Sequence, residues 1–186
     1  MSRQAQSSVL KIGVVTARFN SEVTEKLEAG ALDYLESCEG IEVFAVRVPG
    51  AVEIPLACQA LLEAGCAGVV ALGAVIRGET SHYDYVCNSV ERGITALMLQ
   101  YNAPIGFGVL TTENEEQAMD RAGGKHGNKG EEAAQVVIEM TGLLEDLAAL
   151  TESQAPSRKG KLATRPARKG PASASAKKPT KKVKKK

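Results

Sequence analysis

Between Gly73 and Tyr85 the chain reads GAVIRGETSHYDY, placing a glycine turn, two hydroxyls and a histidine directly after an apolar run. Such a segment is suited to holding an anion and moving a proton. Gly78 permits a sharp turn, and Thr80 or Ser81 can cap the helix that follows. At that helix start, unpaired N–H groups and the helix dipole favour a phosphate or carboxylate. His82 falls in the first helical turn. Histidine titrates near neutrality and so suits proton transfer, although a surface histidine would read the same way. His126, the second of the two histidines, lies in a basic glycine-rich loop and is assigned no role.

The elements that would position this segment follow from periodicity. Leu10 to Ala17, Ile41 to Val48, Val69 to Ile76 and Ile105 to Leu110 are short apolar runs rich in β-branched residues, as expected of strands covered on both faces. Helical spacing follows each, over about Ser21 to Ser37, Glu53 to Ala64, Ser81 to Tyr101 and Asn114 to Ala122. A last helix over about Gly130 to Leu150 follows the loop GGKHGNKG. The order β-α-β-α-β-α-β-α-α predicts an open, four-stranded parallel sheet between two helix layers.

In such sheets ligands collect beyond the carboxyl ends of the strands. The segments found there are ARFN, PGAVE, RGETSH and TTEN. Phe19, beside a charged residue in an expected loop, is either a local packing residue or a stacking face for a ring ligand. Glu53 at a helix start is explained by complementarity to the helix dipole alone.

Several chemistries are disfavoured. GGKHGNKG lacks the Ser or Thr that a Walker A loop needs after Gly-Lys, and it follows a helix rather than a strand. The first strand-to-helix turn has no GxGxxG, no GxSxG elbow occurs, and no His/Cys/carboxylate spacing points to a metal. The four cysteines form no CxxC pair and read as reduced thiols. With no signal-peptide pattern and no bilayer-length apolar run, a soluble cytoplasmic protein is expected, without a membrane partner.

The charge is divided unevenly along the 186 residues. Residues 1–150 carry 10 Lys/Arg against 21 Asp/Glu, whereas residues 151–186 carry 13 against 1. The expected organisation is therefore an acidic globular domain over residues 1–150 and a disordered Lys/Arg-rich tail over 151–186, which has almost nothing to bury. The tail reads either as a solubilising appendage or as an arm binding nucleic acid through non-specific electrostatics. No aromatic residue interleaves the lysines of AKKPTKKVKKK to supply a stacking platform.

The motifs ARFN, VPGAVEIPLA, ALGAVIRGETSHYDYV, PIGFGVLTTENEEQA and DRAGGKHGNKGEEAA occur in this order between about Ile12 and Leu147. In both content and order the chain resembles the lumazine synthases of riboflavin biosynthesis. The resemblance implies a flavodoxin-like α/β/α sandwich that condenses 5-amino-6-(D-ribitylamino)uracil with 3,4-dihydroxy-2-butanone 4-phosphate. The products would be 6,7-dimethyl-8-ribityllumazine, phosphate and water, and neither cofactor nor metal is implied.

It further implies that Phe19 stacks on the pyrimidine, that Ala51, Val52 and Glu53 line the ring and ribityl pocket, and that the backbone of Ala74, Val75 and Ile76 contacts the pyrimidinedione. Glu79 and Thr80 would hold the butanone phosphate, with Arg121 gripping it as it leaves, and His82 would move protons. Phe107, Arg121 and Lys129 match positions that the family supplies from a neighbouring subunit. The implied assembly is a homopentamer, in some members closed into an icosahedral shell, with riboflavin synthase as a candidate partner. Two departures stand out: Val52 replaces an aromatic residue common in the family, and Glu79 replaces a small one, where a carboxylate would repel phosphate unless only its backbone took part. The alternative from another class is a non-catalytic binder of flavin-like ligands whose tail recruits nucleic acid.

Overall fold

A computed structural model describes residues 9–154. Its four long strands are β1 (Leu10–Ala17), β2 (Ile41–Val48), β3 (Gly68–Ile76) and β4 (Ile105–Thr112). All pair in parallel, in the order β2-β1-β3-β4. Because β1 is central, the connections leave it in both directions, and the point where the order reverses lies between β1 and β3. Doubly wound sheets open a crevice at that point.

The alternation within β1 builds both halves of the core. Ile12 and Val14 face α1 (Ser21–Ser37), meeting Val23, Leu27 and Leu35 together with Val137 of α5 (Lys129–Gln154). Val15 and Ala17 face the other way, onto Ile54 and Cys58 of α2 (Ile54–Glu63) and Val90 and Ile94 of α3 (His82–Tyr101). β1 and β3 are thus buried along nearly their whole length, as expected of near-continuous apolar strands, whereas the edge strand β2 has no buried residue. The expected α/β/α sandwich with a four-stranded parallel sheet is what forms.

Four details differ from the sequence reading. β4 runs two residues further, since Thr111 and Thr112 pair with Val75 and Ile76 instead of starting a loop. Glu53 closes a 3₁₀ turn over Ala51–Glu53, and α2 begins after it. GGKHGNKG is not an open loop. After α4 (Glu115–Asp120), strands β5 (Ala122–Gly124) and β6 (Gly127–Asn128) form a small antiparallel hairpin that feeds directly into α5. Finally, α5 continues past Leu150 to Gln154. The Lys-rich part of the expected tail lies outside the described residues.

Among the described residues, no helix is long and apolar enough to cross a membrane. The four cysteines are all free thiols. Burial of Cys58 in the core pushes its thiol up to about 12.

Candidate active site

The crevice between β1 and β3 holds a cavity of about 350 Å³, within the range of small-molecule sites. Three chain segments build it. The turn after β1 contributes Phe19 and Asn20, the 3₁₀ turn after β2 contributes Gly50 to Glu53, and the end of β3 leads through Ala74 to Ile76 into Gly78, Thr80 and the start of α3. Of the residues singled out from the sequence, Phe19, Ala51, Val52, Glu53, Ala74, Val75, Ile76, Thr80 and His82 are all brought to this one cavity.

Phe19 is 70% exposed, so its ring fills little of this chain's core. A ring that has almost no core contact is free to offer a face to a planar ligand. Val52 is also exposed at the rim, whereas Ala51 is buried beneath it. The Glu53 side chain is exposed too, so it presents a carboxylate acceptor to the cavity it lines.

The turn after β1 is anchored in a way the sequence did not reveal. Asn20 adopts the left-handed conformation (φ 58°, ψ 48°) at the start of α1, which asparagine tolerates better than most residues. Its side chain does not cap the helix. Instead Nδ2 donates to the Ala74 carbonyl at 2.8 Å, joining the Phe19 turn to the β3 edge of the cavity.

At the start of α3 the expected caps behave differently from one another. Ser81 occupies the capping position without a side-chain cap bond, while the Thr80 hydroxyl accepts from the His82 N–H at 3.3 Å. Bond and dipole still converge on the turn where Thr80 and His82 are exposed. Glu79 is exposed and is not among the cavity's lining residues.

Tyr83 and Val86 also line the cavity. Neither was singled out, although the period of α3 places Tyr83 beside His82 and Val86 one turn on. The Arg77 guanidinium lies 3.9 Å from the centroid of the Tyr83 ring. A hydrogen bond to Glu113, and a weaker one to Asp84, raise the Arg77 pKa further. Desolvation by burial, with Cys87 beside it, raises that of Tyr83.

Phe107, Arg121 and Lys129 lie elsewhere. They line a separate, shallower depression of about 580 Å³ bounded by β4 and α5, which shares no lining residue with the first. The hairpin explains their proximity to one another: the Lys129 N–H donates to the Arg121 carbonyl at 2.9 Å. Arg121 is fixed further by Nη1 donating to the Gln117 carbonyl at 2.9 Å, and Lys129 pairs with Glu132 at 2.7 Å. Phe107 is 45% exposed on the open edge of the sheet. Within one chain these three do not reach the Phe19 cavity.

Fold and site together define a doubly wound α/β/α protein with a cavity at its switch point and the start of α3 on the cavity wall. Comparison with known proteins narrows this class. The model of the 6,7-dimethyl-8-ribityllumazine synthase family matches residues 9–145, and the chain belongs to that family. A relative in Bdellovibrio bacteriovorus, named 6,7-dimethyl-8-ribityllumazine synthase, is 74% identical over 140 residues, covering 75% of this chain and 78% of the relative. Relatives of the same name in Desulfovibrio desulfuricans and Nitratidesulfovibrio vulgaris (strain DP4) are 50% identical over 148 residues and 45% identical over 147, each covering 77% of this chain and 94% of the relative.

Proposed function

We propose that this chain condenses 5-amino-6-(D-ribitylamino)uracil with 3,4-dihydroxy-2-butanone 4-phosphate to give 6,7-dimethyl-8-ribityllumazine, phosphate and water. The observation that carries the reading is the convergence of the Phe19 ring, the Ala74 to Ile76 strand end and the Thr80–His82 helix start on one cavity in a member of this family.

The reaction asks little covalent chemistry of the protein. The uracil substrate brings the amine that condenses with the butanone carbonyl, so no enzymic nucleophile is required. What remains is to hold two substrates in register and to manage protons and a departing phosphate. Orientation of this kind is worth about 7–11 kcal/mol. Phe19 would stack on the pyrimidine, and the backbone at Ala74 to Ile76 would pair with its polar edge. Ala51, Val52 and Glu53 would take the ribityl chain. The α3 start at Thr80, with Glu79 contributing through its backbone, would hold the phosphate, and His82 would carry protons.

Among the described residues, the cavity's wall includes no arginine or lysine. A phosphate leaving from it would gain from a cation, and Arg121 with Lys129 and Phe107 forms a ready set in the second depression. We therefore read the complete site as shared between neighbouring copies in a homopentamer, whose further closure into an icosahedral shell the short GGKHGNKG segment permits. The same reading takes residues 1–150 as the catalytic domain of a cytoplasmic enzyme. It leaves riboflavin synthase as a candidate partner, and it takes the basic residues 151–186 as an arm for non-specific electrostatic contact with nucleic acid.

The test is to mix the purified protein with both substrates and follow lumazine by absorbance and fluorescence against the uncatalysed reaction. Acceleration that requires both substrates supports the enzyme. Lumazine binding without acceleration supports a non-catalytic flavin-like binder instead, a reading that family membership does not favour.

A further inference from the structure

Arg77 stands where three elements meet. It is the first residue beyond β3, and its N–H donates to the Thr112 carbonyl at the end of β4 at 2.9 Å. Its guanidinium covers the Tyr83 ring at 3.9 Å, Nη2 donates to Asp84 Oδ1 at 3.3 Å, and Nε meets Glu113 Oε2 at 2.9 Å. One side chain thus ties the end of β3 to the first turn of α3 and to the residue after β4.

Apart from the Asp84 N–H donating to the Ser81 carbonyl at 3.0 Å, the turn it spans makes few bonds of its own. A Cβ at Gly78 would meet open space, Ser81 makes no cap bond, and the local bond to the Thr80 hydroxyl is long at 3.3 Å. Either carboxylate pair alone, exposed to water, would hold weakly. A planar fork that stacks on an aromatic face while bonding two carboxylates on different elements is a more restrictive device, and one that lysine cannot reproduce. Tyr83 is a wall of the cavity, and His82 is its immediate neighbour.

We propose that Arg77 is a positioning residue for proton transfer: by clamping Tyr83, Asp84 and Glu113 it fixes the first turn of α3 and so holds His82 at the reacting atoms. The inference rests on the reading of the site given above. The ring pocket is built largely from other segments. Releasing the clamp therefore lowers the fraction of molecules with His82 in place and leaves the uracil held as before, a loss in kcat rather than in binding.

The experiment compares Arg77→Met, Arg77→Lys, Glu113→Gln and the double variant Arg77→Met/Glu113→Gln with the unaltered full-length protein. It reads steady-state kinetics for both substrates, lumazine affinity by fluorescence and amide exchange over residues 80–84. Arg77→Met is expected to lower kcat about tenfold with lumazine affinity and the uracil KM within about twofold, and to speed exchange at those amides. Arg77→Lys recovers only part of the rate. Glu113→Gln gives a smaller loss that vanishes in the Arg77→Met background, since both changes open the same clamp. Unchanged kcat, full recovery by lysine, strictly additive losses or a rise confined to the uracil KM each overturn the proposal. Should Arg77→Met not fold, Glu113→Gln and Asp84→Asn test the clamp with Arg77 in place, and full activity with unchanged exchange in both overturns it. An unaltered protein that forms no lumazine overturns the functional reading as well; full-rate variants of an active protein overturn the clamp alone.

Discussion

Asn20 and Ala74 are joined by a hydrogen bond of 2.8 Å from the side-chain amide of the one to the backbone carbonyl of the other, across 54 residues of sequence. The bond fixes the Phe19 turn to the strand end facing it, so the spacing between the aromatic face and the polar strand edge is set before any ligand arrives. Glycine at position 20 keeps the left-handed backbone and removes only the bond. Asn20→Gly is expected to raise the KM for the ribitylaminouracil about fivefold with kcat nearly unchanged, in line with the loss of about 1 kcal/mol from one hydrogen bond. Steady-state kinetics check this, and an unchanged KM would show that the platform holds its place without Asn20.

His82 lies at the cavity with its side chain exposed and its N–H bonded to Thr80. A residue so placed contributes to rate and little to packing. His82→Ala should slow turnover by about 10²-fold, the lower end of general acid–base contributions, while the melting temperature and the size of the assembly stay as they are. Turnover equal to that of the unaltered protein removes the proton-carrying role.

Arg121 is held by the Gln117 carbonyl and by the hairpin bond from Lys129, with its side chain facing a depression that contains Phe107 but not Phe19. If a neighbouring copy completes the site, Arg121→Ala raises the KM for the butanone phosphate about tenfold or more, as removal of a charge-assisted phosphate contact should, and Phe19→Ala does not. The decisive mixture combines Arg121→Ala subunits with Phe19→Ala subunits. Shared sites regain part of the lost activity on subunit exchange, whereas sites confined to one chain regain none.

These relationships were unequally legible in the sequence. β1 and β2 have the bounds that their apolar runs announced: β1 is buried on both faces and leaves a continuous signal, while the largely exposed edge strand β2 is marked by its β-branched and aromatic residues. Thr111 and Thr112 looked like a loop because hydroxyls resemble turn residues, yet their β-branching suits the register they keep with Val75 and Ile76. The β5 and β6 hairpin was hidden by its glycines. Strands of three and two residues are held by backbone bonds and carry no side-chain alternation. Three of the four carboxyl-end segments supply walls of the cavity and TTEN supplies none, while Asn20 and Arg77 gained their parts from partners distant in the chain. The separation of Phe107, Arg121 and Lys129 from the main cavity was foreshadowed by family resemblance, since spacing alone carries no information on subunit boundaries.

Cys58 provides a pH test of the core. Its ordinary thiol value of 9.0 is raised to about 12 by burial, so between these values the unfolded chain has released a proton that the folded chain retains. The unfolded state is then favoured as pH rises, and the contribution of Cys58 to stability is fully present below pH 9 and declines toward pH 12. Denaturant titrations of the unaltered protein and of Cys58→Ala should give a stability difference that is constant from pH 7 to 8.5 and narrows above pH 9. A difference independent of pH would place Cys58 in a more solvated setting than the core between α2 and the sheet.

Gly106 marks the closest approach of β4 to α5, where an added Cβ would meet the backbone carbonyl of Ala133 and the side chain of Val137. A side chain can rotate away from such a clash; a helix carbonyl moves only with its helix. Gly106→Ala should therefore cost about 1–3 kcal/mol, measured as a lower denaturation midpoint with an unchanged m-value. Gly65 supplies the contrast. Open space surrounds its missing Cβ, but its φ of 94° strains any other residue, so Gly65→Ala is destabilising through the backbone alone. The two causes separate on adding a second change: Ala133→Gly leaves the obstructing carbonyl in place and does not rescue Gly106→Ala, whereas Gly65→Asn, better tolerated at positive φ, recovers part of the loss seen in Gly65→Ala. Rescue of Gly106→Ala by Ala133→Gly would mean that side-chain crowding, not backbone contact, sets the distance between β4 and α5, the two elements that bound the Arg121 depression.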